Sequence, residues 1–424
     1  MSIFPIRVIR VPQNKTMTYQ TRAAKIFERI NELAAITEQP GMVTRTYGSA
    51  AFIQGAALVA TWMHDAGLQT STDHIGNVRG RLLCQEADAQ TFIIGSHMDT
   101  VVDAGKFDGP LGIIMGLDLL ENIVINKIAL PFNVELIAFA DEEGVRFHTT
   151  YLGSKVVAGS FDNILLAKTD KSGTTLNQAI QQIGGDPALL RDAAISDKLL
   201  GYLELHIEQG PVLYKSNNPV AVVTGIAGQK RIELIFTGTA GHAGTVPMDM
   251  RQDALCCAAE CIVNIEEFGQ SHNTELVATV GKLDIENPAS NVIPGMVKCT
   301  LDLRSADEVR LAYAATALQN ILTEICGDRT IGFQWNLVQE TKPVICDAAL
   351  NKHLQQAITD AGFEPIELVS GAGHDAVPMA AICPVTMLFV RCFKGISHNP
   401  LEDVELKDIE AAVEVGDKFL LSIH

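Results

Sequence analysis

Five short runs carry the groups that could hold a cation or move a proton. Gly95-Ser96-His97-Met98-Asp99-Thr100-Val101 follows the apolar run Thr91–Gly95 directly. One residue separates His97 from Asp99, so both side chains can face one crevice, and a carboxylate beside an imidazole can fix its tautomer. Alone, a His-x-Asp pair is equally a polar strand end with no role. Asp108, in Lys106-Phe107-Asp108-Gly109-Pro110-Leu111-Gly112, stands just before a helical pattern, where a helix cap is the ordinary reading. The glycines around it suggest instead backbone packed tightly about a ligating carboxylate. Asp141-Glu142-Glu143-Gly144 ends a second apolar run. Three adjacent acids at a strand end are costly unless something positive neutralises them, although a solvated acidic turn is common. His206 lies in Glu204-Leu205-His206-Ile207-Glu208-Gln209-Gly210, and His398 in Gly395-Ile396-Ser397-His398-Asn399-Pro400. Each alone is an ordinary structural histidine. Together the five runs put a histidine or an acid at or just after the carboxyl end of one predicted strand after another. Imidazole with carboxylate suits Zn²⁺ or Mn²⁺.

The elements that must position these residues follow from periodicity. Helical spacing covers residues 20–38 and 50–67, the second opening behind Ser49 as N-cap. Buried strands are expected at Thr91–Gly95, Val134–Ala140 and Tyr202–Ile207, with a helix at Leu111–Val124. Apolar strands alternating with helices indicate an α/β layer with a largely parallel sheet, which binds ligands at the carboxyl ends of its strands. The middle of the chain changes character. Strand Arg231–Thr237, helix Arg251–Phe268, strands Leu276–Ile285 and Val297–Leu303, helix Ala306–Cys326 and strand Ile331–Gln339 give the order β-α-β-β-α-β. After Lys342 the first pattern returns, with helix Leu350–Ala361, strand Val385–Val390 and helix Leu406–Ser422. The expectation is a discontinuous α/β catalytic domain at 1–216 and 341–424, split by an inserted α+β domain at 217–340, a size within the normal domain range.

Composition limits the partners. The 424 residues carry 32 Lys+Arg against 50 Asp+Glu, a formal charge of −18, with no basic cluster for nucleic acid. An anionic substrate would need local positive charge, such as metal ions. No stretch reaches the ~18 uncharged apolar residues of a membrane span. The start, MSIFPIRVIRVPQNK, lacks a signal-peptide core and suggests a short irregular leader. Nine scattered cysteines with no C-x-x-C pair suggest reduced thiols and a cytoplasmic location.

GSHMDTV, FDGPLG, DEEGVRF, ELHIEQGPVL, GHAGTVPM, NVIPG, DLR, SGAGHDA and GISHNP occur in this order between about residue 90 and residue 403. In them the chain resembles the dinuclear metal aminoacylase and carboxypeptidase superfamily, in its amidase/carbamoylase branch. That branch holds allantoate amidohydrolase, ureidoglycolate amidohydrolase, N-carbamoyl-L-amino-acid hydrolase and β-ureidopropionase. The longer runs are most similar to allantoate amidohydrolases of the plant type. The resemblance implies two divalent metal ions per subunit. His97 and His206 would ligate the first, Glu143 and His398 the second, and Asp108 would bridge both. Asp99 would orient His97, and Glu142 would be the general base. Gln209, Asn291, Arg304 and His374 would contact a small substrate carrying a carboxylate. His242 would stabilise the oxyanion from the partner subunit of a homodimer. A non-catalytic relative would be expected to have lost Glu142 or a ligand, and all are present. Cleavage of a peptide or N-acyl amide is the remaining alternative to a ureido or carbamoyl bond.

Overall fold

The computed structural model describes residues 17–423 apart from 87, 273 and 274. The expected leader lies outside the described residues. Among the described residues the chain builds two main sheets and a two-stranded ribbon, and one of the main sheets carries every strand-end motif.

The large sheet contains β1 (Gln69–Thr72), β2 (Val78–Leu82), β3 (Thr91–His97), β4 (Asn133–Phe139), β5 (Leu199–Ile207) and β6 (Val220–Ile226). The smaller sheet contains β7 (Gly228–Thr237), β9 (Val277–Ile285), β11 (Met296–Ser305) and β12 (Gly332–Thr341). A two-stranded ribbon pairs β8 (Gly241–His242) with β10 (Val292–Ile293). The chain then returns to the large sheet through β13 (Val344–Ile345), β14 (Ile366–Ser370) and β15 (Val385–Val390). At the centre of the large sheet, β4, β3, β5 and β15 lie side by side and parallel. Antiparallel β2 and β6 flank them. The fold is therefore α/β with a mostly parallel central sheet. Both faces are covered: Phe92 and Ile94 pack with the long helices, and Ile93, Ile137 and Tyr202 pack on the opposite side. That double burial is why β3 is apolar without alternation.

The smaller sheet, in the order β12-β7-β11-β9, has its own core. Alternate residues Ile232, Leu234 and Phe236 of β7 and Val297, Cys299, Leu301 and Leu303 of β11 face two helices, Ala254–Ser271 and Glu308–Asp328. The chain leaves the large sheet later than expected. β6 pairs with β15 and β14, so the crossing falls at Ala227 and not at residue 217. Helix ends also shift. Asp253, Asp307 and Asp347 each accept two backbone N–H groups of the following turn, which moves the starts to Ala254, Glu308 and Ala348. The first helix, Tyr19–Ala34, stops short of residue 38. The Thr37 hydroxyl instead binds the Met42 carbonyl at 2.6 Å and accepts from the Thr44 amide at 3.0 Å.

One ion-pair cluster fastens that helix to the sheet layer. Arg22 donates from Nε to Asp118 at 2.7 Å and grips Asp417 with both terminal nitrogens, all three residues being buried. Removing the guanidinium leaves two buried carboxylates without a cation; among the described residues Asp118 is left with no donor and Asp417 with the Asn122 amide alone at 3.2 Å. Arg22→Ala should therefore cost about 3–5 kcal/mol of stability. Urea unfolding followed by circular dichroism checks this, and a loss below about 1 kcal/mol would mean that water reaches both carboxylates.

Candidate metal centre

Parallel pairing brings the carboxyl ends of β3, β4, β5 and β15 to one edge. His97 is the last residue of β3, and His206 is the last but one of β5. Asp141–Glu143 follow β4, and His398 follows β15 after a single helical turn, Phe393–Gly395. Asp108 precedes the helix Pro110–Asn126. Its N-cap is Gly109, and no side chain caps it, so the cap reading of Asp108 does not hold. Two glycines let this helix approach. Gly109 has φ +83°, and a Cβ there would lie 2.4 Å from the His97 ring; a Cβ at Gly112 would lie 2.0 Å from the Leu205 carbonyl oxygen. That close approach carries Asp108 between the histidines. Asp141, Gln209 and His398 all hold left-handed backbone, strain of the kind that collects at functional sites.

The Asp108 carboxylate is divided between two groups of ligand atoms. Oδ1 lies 3.1 Å from His206 Nε2 and 3.8 Å from His97 Nε2. Oδ2 lies 3.1 Å from His398 Nε2, which is 3.3 Å from Glu143 Oε1. The sets His97/Asp108/His206 and Asp108/Glu143/His398 each gather within 4.8 Å, as do His97, Glu142 and Glu143. A cation fits the first set. His97 Nδ1 lies 3.1 Å from the Asp99 carbonyl and His206 Nδ1 2.9 Å from that of Ile207. Both neutral rings therefore carry their proton on Nδ1 and turn lone pairs toward each other, Nε2 to Nε2 at 3.4 Å. Asp108 Oδ1, buried beside them, has no hydrogen-bond partner among the described residues. Three acceptors converging on one point in a buried site require positive charge.

The charges respond to this crowding. Burial opposes ionisation of Asp108, but His206 and His398, when protonated, hold it well below the usual carboxylate range. Hydrogen bonds to Asp108 and then Glu143 raise His398 to about 10. Burial pushes the Glu142 carboxyl well up, with Glu143 adding to the shift.

These groups line a cleft of about 710 Å³ between the two sheets. His97, Asp108, Glu142, Glu143, His206, Gln209 and His398 face it from the large sheet, and Arg304 faces it from β11. Gln209 donates to Asp108 Oδ2 at 2.9 Å. Arg304 is held by Asp302 through Nε at 2.9 Å and Nη2 at 3.1 Å, and it donates to the Gly371 carbonyl at 2.6 Å. His242 and Asn291 are elsewhere. They flank the β8–β10 ribbon, are exposed, and do not line the cleft of their own chain.

Residues 93–422 match Peptidase family M20/M25/M40. The chain belongs to this family. It is 40% identical over 419 residues to a probable allantoate deiminase of Oryza sativa subsp. japonica, covering 91% of this chain and 85% of the rice protein. It is 37% identical over 398 residues to an N-carbamoyl-L-amino acid amidohydrolase of Geobacillus stearothermophilus, covering 92% and 96%. The crystal structure of an amidase of the hydantoinase/carbamoylase family from Burkholderia multivorans superposes with a TM-score of 0.89 at 33% identity, covering 94% and 97%. The chain is a hydrolase.

Glu402 and Ser397, which position the centre of this M20/M25/M40-family hydrolase, escaped the sequence reading, and Asp99 does more than that reading implied. The Asp99 carboxylate lies 3.6 Å from His97 Nδ1, but its two oxygens accept the amides of Glu142 and Glu143 at 2.9 and 3.1 Å. It thus anchors the acidic loop as well as the histidine. Glu402 Oε1 accepts the amides of Phe107 and Asp108 at 2.8 and 3.1 Å and so fixes the Asp108 turn. Ser397 bridges Glu402 and Asp108. His374, expected to touch substrate, is buried instead. Its ring stacks edge-on against His206 at 4.5 Å, and Ser370 holds its Nε2 at 2.7 Å. Burial and the neighbouring His206 keep it well below the usual histidine range, so it packs as a neutral ring.

Proposed function

We propose that this protein hydrolyses a ureido or carbamoyl C–N bond in a small carboxylate-bearing metabolite, with allantoate the preferred substrate and ammonia and CO₂ released. The division of one carboxylate, Asp108, between two donor sets carries the reading of a two-ion centre. His97, Asp108 and His206 would hold one divalent ion, and Asp108, Glu143 and His398 the other, zinc or manganese. Such a pair supplies positive charge that acidifies water and polarises a carbonyl. Glu142 takes the proton of the attacking water and returns it to the departing nitrogen. Arg304, already in the cleft, grips the substrate carboxylate with two parallel hydrogen bonds that a lysine cannot make. Gln209 stands between Asp108 and His398, where it orients the substrate's polar end. Asn291 assists at the carboxylate, and His242 of the partner subunit donates to the oxyanion. The high identity to a protein named for allantoate supports that substrate. The relative named for N-carbamoyl-L-amino acids supports the second reading, a carbamoyl amino acid or β-ureidopropionate. No helix among the described residues is long and apolar enough to cross a membrane.

The test is ammonia release by manganese-loaded enzyme over allantoate, ureidoglycolate, N-carbamoyl-L-amino acids and β-ureidopropionate. Allantoate should give the highest kcat/KM. Chelation should abolish the activity, and Mn²⁺ or Zn²⁺ should restore it. Ammonia from none of the four would overturn the substrate class, and full activity in protein shown metal-free by elemental analysis would overturn the centre.

A further inference from the structure

A second convergence of ligand atoms lies in the helical layer of the smaller sheet, away from the cleft. Cys257 and Cys261 sit one turn apart on the helix Ala254–Ser271, and Cys326 lies near the end of the helix Glu308–Asp328. All three thiols are buried. The Cys257 and Cys326 sulfurs are 3.6 Å apart, and the three lie within 4.8 Å of one another. None of the nine cysteines is in a disulfide.

Buried cysteines often serve as small hydrophobic residues. Packing alone does not need three sulfurs aimed at one point, nor does it need a thiolate there. Here two features favour the thiolate. Cys257 stands near the N-terminal end of its helix, whose first amides the Asp253 cap already takes, and the helix dipole there favours negative charge. Arg329 follows Cys326 and adds a positive field at the same end of the layer. Hydrogen bonding among the three thiols lowers Cys257 and raises Cys261 and Cys326, so the first proton leaves from Cys257.

We propose that Cys257, Cys261 and Cys326 form a three-thiolate site for a soft d¹⁰ cation, Cu(I), that clamps the two helices of the smaller sheet. A metal–sulfur bond of about 2.3 Å puts the sulfurs of a trigonal complex about 4 Å apart. The Cys257–Cys326 separation of 3.6 Å lies close to that value and all three sulfurs fall within 4.8 Å of one another, so side-chain rotation completes the shell. Zinc prefers four ligands. Among the described residues no imidazole or carboxylate joins the three sulfurs. Soft sulfur ligands in low number select Cu(I). Each remaining thiol proton is released to solvent as its sulfur binds, and no electron is transferred, because the ion arrives already reduced. The site lies next in sequence to the exposed Cys256, near a helix end, where fraying of one turn opens it. Ligation stabilises the folded layer, since the unfolded chain does not hold the three sulfurs together.

The experiment uses the full-length protein, reduced and free of oxygen, with Cu(I) supplied from a competing chelator. Elemental analysis counts the bound copper, X-ray absorption identifies the ligand atoms, and thermal unfolding reads the clamp. The expected result is one copper per chain with three sulfur neighbours and a raised Tm. Cys257→Ala, Cys261→Ala and Cys326→Ala should each lose it, and Cys346→Ala, a buried thiol outside the cluster, should keep it. Wild-type protein that retains no more sulfur-bound copper than the triple alanine variant overturns the site. So does copper bound through nitrogen, which would place it at the histidines of the cleft. The wild-type measurement decides even if a variant fails to fold.

Discussion

Glu142→Gln should lower kcat by at least the 10²–10⁴-fold that a positioned general base contributes, while metal content stays at the wild-type level. Glutamine keeps the length and shape of the side chain but cannot take a proton from water. Glu142 lies outside both donor sets that share Asp108, yet its carboxylate comes within 4.8 Å of the His97 and Glu143 ligand atoms. It is also nine-tenths buried, and its amide is tied to Asp99 Oδ1 at 2.9 Å, so its position does not depend on its own charge. Steady-state kinetics with elemental analysis of the same sample separates the possibilities. Residual kcat within tenfold of wild type would remove Glu142 from the proton transfer. Loss of an ion would make it a ligand, with the base to be sought elsewhere in the cleft.

Four of the five runs were legible because each ends or follows a strand buried on both faces, and such strands stand out as short apolar blocks. The sequence therefore places His97, Glu143, His206 and His398 at or after strand ends, where the structure also has them. What it hides is long-range. Glu402 reaches Phe107 across 295 residues, and Ser154 meets Asp375 across 221; nothing local marks either pair. His374 shows the same limit from the other side. Its motif is distinctive, but only packing reveals that the buried ring sits edge-on to His206 and does not line the cleft. The fold was hidden where strands are short or polar. β1 reads Gln-Thr-Ser-Thr and has no buried residue, and β6 was assigned to the inserted segment because a single residue, Ala227, separates it from β7. Helix starts shifted by two or three residues because Asp253, Asp307 and Asp347 act as caps within polar stretches that periodicity does not resolve.

His242→Ala and Glu142→Gln proteins, each inactive alone, should regain about a quarter of wild-type activity when dissociated, mixed and reassociated. The reasoning starts from the ribbon. His242 Nδ1 accepts the Gly244 amide at 3.0 Å, so the neutral ring carries its proton on Nε2 and presents an N–H donor outward. Arg251 fixes the loop, donating to the Ala243 carbonyl at 2.6 Å and to that of Val246 at 3.1 Å. A held donor of this kind suits a developing oxyanion, where one such group is worth about 2.7–4 kcal/mol. Yet His242 is exposed and does not line the cleft of its own chain, while Arg304, on the same smaller sheet, does. A hinge that brought His242 over its own metal ligands would have to break the Arg304–Gly371 hydrogen bond that now ties the two sheets. A two-fold pairing of the smaller sheets would need no such break and would bring the histidine of one copy to the cleft of the other. In a heterodimer of the two variants, one cleft then combines Glu142 with an intact His242, and the other lacks both. Random reassociation makes half of the dimers mixed, each with one working site, which gives the quarter. If mass spectrometry confirms mixed dimers and no activity returns, His242 acts within its own chain or takes no part in the reaction.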